Sequence, residues 1–145
     1  MSVLLDKCTE QYDKRNEFVA YEKGKTYKLY NRSKLTIRKV KVDVCFPQGL
    51  NERRCDYLMS CEEIKRAIFI ELKGGGLTRA LEQIYSTIIY IKADLNNYRF
   101  DARIVGKGDV PGFINLPDYK KLKKEIFNSG GTIERATNNY YSEEI

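Results

Sequence analysis

The chain contains no histidine. That absence removes the Ser-His-Asp triad, the Cys-His dyad and the histidine general base. Acid–base chemistry is left to carboxylates, lysine, tyrosine or water activated by a metal. Cysteine is sparse, with four residues (Cys8, Cys45, Cys55 and Cys61) and no C-x-x-C pair. Together with the missing histidine, this argues against zinc. Cys45 and Cys55 lie in or beside apolar runs and read as small buried hydrophobes. Reduced thiols in a cytosolic protein are the expected state of all four. There is no apolar run of membrane-spanning length. The opening Met1-Ser2-Val3-Leu4-Leu5-Asp6 is too short, and lacks the basic flank, for a signal peptide. The expected location is cytoplasmic, with no membrane partner.

What is present fits one domain. A chain of 145 residues supports a single core. The net charge of +6 leans toward a polyanionic partner such as nucleic acid. No linker, repeat or low-complexity segment divides the chain.

Residues 3–17 read as a short helix. Residues 18–30 read either as a hairpin turning at Lys23-Gly24-Lys25 or as a helix followed by a strand. Leu35, Ile37, Val40, Val42, Val44 and Phe46 alternate with one break of phase, predicting a strand over 35–46 ended by Pro47-Gln48-Gly49. Two apolar runs follow, one containing Asp56 and one ending at Leu72. After Gly74-Gly75-Gly76, Leu77, Leu81, Ile84, Ile88 and Ile91 step at helical spacing, predicting a helix over 77–95. Residues 100–105 alternate as a strand, with Asp101 and Arg103 on the polar face. Residues 111–117 read as a loop. Pro117-Asp118 opens a second helix with Tyr119, Leu122 and Ile126 as its stripe, ended by Ser129-Gly130-Gly131. Residues 132–136 form a final short strand, and Tyr140-Tyr141 and Glu143-Glu144 form a tail. The fold class is α/β. A mixed central sheet begins with a three-strand meander, reaches its next strand through a helical crossover, and is flanked by helices.

The chemistry concentrates at Asp56 and at Glu71-Leu72-Lys73. Side chains alternate along a strand, so Glu71 and Lys73 share a face while Ile68, Ile70 and Leu72 form the opposite, buried one. Residues 60–67 read as the polar connection between the runs. If Ser60 pairs with Ala67, antiparallel register sets Asp56 opposite Glu71. Carboxylates converging at the end of an apolar sheet are costly without a partner. A divalent metal is the usual one, and a lysine beside it suits phosphate chemistry. The competing interpretation is an edge strand carrying solvated charges.

Asp56, Glu71-x-Lys73, the strand–strand–helix order and the strand beyond it resemble the PD-(D/E)xK nuclease superfamily. The likeness spans residues 35–105. The restriction-endonuclease-like αβββαβ core is the fold it implies. By this resemblance Asp56 and Glu71 would ligate Mg²⁺ or Mn²⁺, with the Leu72 carbonyl as a further ligand. Lys73 would orient or activate the attacking water and offset charge on the scissile phosphate. Gln83, in the following helix, matches the glutamine that some members place near the site. Thr87 stands where a Gln-x-x-x-Tyr helix has tyrosine, and Cys55 stands where a proline often precedes the first acid. An acid from the N-terminal region often completes such sites, and Glu10 and Glu17 are the two candidates.

Other features have plainer interpretations. The three glycines before the helix are not a P-loop and read as a flexible strand-to-helix turn. Lys120, Lys121, Lys123 and Lys124 read as a solvated helix face. Arg53 and Arg54, at the mouth of the site, are placed for phosphate contacts. Asp43 reads as a surface salt-bridge partner in preference to an extra acid near the metal. The leading expectation is a Mg²⁺- or Mn²⁺-dependent nuclease acting on DNA in preference to RNA, as a homodimer or beside a larger protein partner. The alternatives are a catalytically inactive nucleic-acid-binding module and an accessory subunit of a larger complex.

Overall fold

Strands β4 (Ile37–Lys41), β5 (Tyr57–Cys61) and β6 (Arg66–Leu72) form the expected antiparallel meander, with Ser60 opposite Ala67. The structure is a computed structural model, and it describes residues 3–47, 54–72, 76–107 and 112–145. Helix α2 (Leu77–Ile91) crosses from β6 to β7 (Arg99–Val105), which pairs with β6 in parallel. Helix α3 (Pro117–Asn128) makes the next crossover, to β8 (Ile133–Ala136), again in parallel. Strand β1 (Thr9–Asp13) adds to the far edge, antiparallel to β4. The resulting sheet has six strands in the order β1-β4-β5-β6-β7-β8.

A second sheet contains β2 (Glu17–Glu22), β3 (Lys25–Tyr30) and β9 (Tyr140–Glu144), in the order β2-β3-β9. The β2–β3 connection is the hairpin alternative. Glu22 pairs with Lys25 across Lys23 and Gly24, whose φ angles of 49° and 82° suit a two-residue primed turn. Phe18, Ala20, Tyr27 and Leu29 point inward onto Ile68, Ile70 and Leu72. On the other face of β6, Ala67 and Phe69 meet Leu81, Ile84, Ile88, Leu122 and Ile126. The six-stranded sheet is thus buried on both faces, between helices and a smaller sheet. This explains why β6 reads as an unbroken apolar run with no polar alternation.

Several expectations are corrected. The N-terminal helix α1 covers only Val3–Cys8, and residues 9–13 are strand because they pair along β4. β4 stops at Lys41; the Cys45 and Phe46 N–H groups both donate to the Val42 carbonyl, turning the chain before Asp43 can continue the strand. The connection between β5 and β6 shrinks to residues 62–65, since Ser60, Cys61, Arg66 and Ala67 all pair. Helix α2 ends at Ile91, followed by a 3-10 turn at Lys92–Asp94. The loop expected over 111–117 contains a 3-10 turn at Phe113–Asn115 and ends where α3 begins at Pro117.

Asp101 and Arg103 are buried rather than solvent-facing. Arg66 donates to Asp101 at 2.8 Å, and Arg103 donates to Glu143 at 2.7 and 3.1 Å. The acidic end is therefore no tail. Glu143 draws β9 onto β3 and also accepts the Tyr27 hydroxyl at 2.7 Å. Cys8 and Cys45 are not reduced thiols: α1 sets Cys8 against the turn after β4, and the two form a disulfide with Cα atoms 5.6 Å apart. Cys55 and Cys61 are free and buried. No helix among the described residues is long and apolar enough to cross a membrane.

Candidate metal centre

Three carboxylates meet at one end of the six-stranded sheet. Glu22, Asp43 and Asp56 each offer a carboxylate oxygen, and these oxygens lie within 4.8 Å of one another. Each comes from a different element. Phe18 and Ala20 point into the interlayer core, so alternation along β2 turns Glu22, two residues further on, toward the same side. Asp43 sits on the turn that ends β4, and the Cys8–Cys45 bridge pins that turn two residues away.

Asp56 lies just before β5, where its N–H donates to the Ile70 carbonyl at 3.1 Å and its Oδ2 accepts from the Leu72 N–H at 2.7 Å. Its carbonyl accepts from the Val42 N–H at 3.0 Å. Asp56 thus stitches the ends of β4, β5 and β6 together. Helix α2 fixes the approach to it. Gln83 donates to the Arg54 carbonyl at 3.0 Å, and the Thr87 hydroxyl accepts from the Cys55 N–H at 2.9 Å.

The electrostatics are unfavourable without a cation. Burial, then the Glu22 and Asp43 charges, push the Asp56 carboxyl up to about 7, against a lowering contribution from the Leu72 N–H. Burial, then Glu22, also raise Asp43, while Lys41, a hydrogen bond with the Asp56 carboxyl and then Arg54 oppose the rise. Glu22 Oε2 and Asp43 Oδ1 are buried with no hydrogen-bond partner among the described residues. Two orphaned carboxylate oxygens inside a group of three acids are what a bound cation would satisfy. The donors are hard oxygens throughout, which suits Mg²⁺, Mn²⁺ or Ca²⁺ and not a thiophilic metal.

Cationic groups surround the acids. Lys41 Nζ lies 3.5 Å from the Tyr57 hydroxyl, and its pKa is raised by Tyr57 first and by Asp43 and Glu22 after it. Arg54 donates through Nη1 to the Phe46 carbonyl.

The sequence-derived residues distribute unevenly over this geometry. Asp56 is central to the group. Glu71 is almost fully buried on β6 opposite Ile104, close enough to Cys55 to raise the thiol's pKa after burial has done so, and is not a member of the group of three. Leu72 supplies its N–H to Asp56, and its side chain belongs to the interlayer core. Gln83 supports the Arg54 backbone. Lys73, Arg53, Gly74 and Gly75 lie outside the described residues.

Neither N-terminal candidate joins the acids. Glu10, on β1, pairs with Lys39 at 3.3 Å, and Glu17, at the far end of β2, lies 3.9 Å from Lys28. Asp43 is corrected from a surface partner to a member of the group. Glu22 was missed. The one signal for it was the hairpin reading itself, which leaves an acid on the inner face immediately before the turn. The four lysines of α3 are exposed as expected.

No protein-family model, no curated protein and no solved structure matches this chain.

Proposed function

We propose that the protein is a divalent-metal-dependent phosphodiesterase acting on nucleic acid, with Glu22, Asp43 and Asp56 as its metal ligands. The observation that carries this reading is the group of three acids, two with orphaned oxygens, at a sheet end flanked by cationic side chains. A divalent ion held there would supply Lewis-acid polarisation of a phosphate oxygen and a nucleophile at neutral pH. The chain's own residues do the rest. Leu72 N–H holds the Asp56 carboxylate in place, and Gln83 and Thr87 hold the segment that carries it. Lys41 and Arg54 offset phosphate charge beside the acids. Lys73, directly after Leu72, serves the same end under the PD-(D/E)xK resemblance, and Glu71 supports the site from within the sheet. The overall positive charge favours a polyanionic substrate, and the resemblance favours DNA over RNA.

The test is Mg²⁺- and Mn²⁺-dependent cleavage of plasmid, linear duplex, single-stranded DNA and RNA. Wild type is compared with Glu22→Gln, Asp43→Asn and Asp56→Asn, and with Glu71→Ala and Lys73→Ala. Cleavage by wild type that is lost in the three acid variants supports the site. Cleavage that survives all three refutes it. Metal-independent binding without cleavage would leave a nucleic-acid-binding module.

A further inference from the structure

We infer that the outer face of the β2-β3-β9 sheet binds single-stranded nucleic acid, by base stacking on Tyr21, Tyr140 and Tyr30. The inference goes beyond the phosphodiesterase reading, because binding by this face needs no metal at the acids.

The register places these rings together. Tyr21 pairs with Thr26, and Thr26 pairs with Tyr140, so the two tyrosines stand in one row across three strands. Strands lie about 4.8 Å apart, which separates the two positions by about 10 Å. Both rings project away from the core, with Tyr21 59% and Tyr140 45% exposed. Tyr30 stands on the same face, and a hydrogen bond between its phenol and that of Tyr140 raises the Tyr30 pKa and lowers that of Tyr140. The inner residues of the same strands, Phe18, Ala20, Tyr27 and Leu29, already fill the core. The outer tyrosines are therefore not needed for packing between layers.

The charge on this face suits a phosphate backbone. Lys23 stands at the hairpin tip, Lys28 occupies the row next to that of Tyr21 and Tyr140, and both Lys28 and Arg32 lie 5.8 Å from the Tyr30 ring centre. The acids on the face, Glu17 and Glu144, sit at the far end and are held by Lys28 at 3.9 Å and Arg32 at 3.4 Å. Lys23 and Lys28 are left at the end of the face that carries Tyr21 and Tyr140. Rings on a flat sheet stack only with bases that are not paired in a duplex, so the face selects single strands.

The experiment measures binding of a short fluorescein-labelled oligothymidylate by anisotropy in EDTA, where no metal-dependent cleavage can occur. Wild type should bind the single strand more tightly than a duplex of the same length. Tyr21→Ala and Tyr140→Ala should each weaken it about tenfold, while Tyr21→Phe and Tyr140→Phe keep the wild-type affinity. Phe127→Ala, an exposed aromatic on α3, should change nothing. Thermal unfolding of each variant checks the fold. No binding in EDTA, tighter binding to duplex, or alanine variants that bind like wild type would overturn the inference. If the tyrosine dependence holds and wild type cleaves nothing, the face stands and the phosphodiesterase reading fails by itself.

Discussion

Raising the pH should destabilise the metal-free protein, and the acid group determines by how much. Asp56 ionises near its ordinary value of 3.8 in the unfolded chain and at about 7 in the fold. A carboxyl raised in this way contributes stability that is present below the unfolded value and lost as pH climbs through the folded one. The gap between 3.8 and about 7 corresponds to a loss of about 4 kcal/mol at about 1.36 kcal/mol per pH unit. Asp43 adds to the loss with the same sign. Asp101, lowered by Arg66 and the Thr132 N–H against its burial, titrates below this window. With no histidine in the chain, no imidazole titrates inside it. About 3 kcal/mol of that loss falls between about pH 5 and about pH 8, so thermal unfolding in EDTA should show Tm falling by on the order of 10 °C across that range. Asp56→Asn removes the charge, keeps an acceptor for the Leu72 N–H, and should flatten the slope. Excess Mg²⁺ should restore stability at the alkaline end and do little at the acidic end. A metal-free protein whose Tm is constant or rising across this range would show that the acids carry no such penalty, as would Asp56→Asn with the wild-type slope.

Other parts of the structure are as readily tested. Reducing the Cys8–Cys45 bridge, which spans a sequence separation of 37, should cost about 4 kcal/mol in denaturant unfolding. It should also weaken Mn²⁺ binding, because Asp43 rides on the bridged turn; unchanged affinity would separate the bridge from the site. Gly131→Ala would place a Cβ 1.7 Å from the Phe100 carbonyl oxygen, and should destabilise by about 3 kcal/mol, read from the denaturation midpoint. Glu143→Ala leaves the buried Arg103 guanidinium without its bidentate partner, and should cost about 3–5 kcal/mol and expose β9 to proteolysis.

The meander, the two helices and the first crossover were legible: residues 35–46 alternate, β5 and β6 are short apolar runs, and the helices step at about 3.6 residues. The register of β5 on β6 followed from a short polar connection, and it put Asp56 at the sheet end where the acids gather. The second sheet was harder to read. Tyr27 is an inner, buried residue, but Tyr21 and Tyr140 are exposed, and the sequence alone does not separate these environments. The burial of Asp101 and Arg103 and the docking of Glu143 were not legible, because each is compensated by a partner distant in the chain. Glu22 was hidden for the same reason, and Asp43 was weighed as an extra acid but placed second to a surface role. Their meeting with Asp56 depends on a hairpin laid across the sheet and on a turn that interrupts β4, and neither leaves a local pattern of spacing.

A metal-dependent activity requires that the three acids hold a cation. Calorimetric titration of Mn²⁺ into the metal-free protein at about pH 8, where Asp56 is ionised, measures this without any substrate. Saturable binding to wild type that is lost in Glu22→Gln and in Asp43→Asn is the predicted result. No saturable binding to wild type, or equal binding by the two variants, would contradict it.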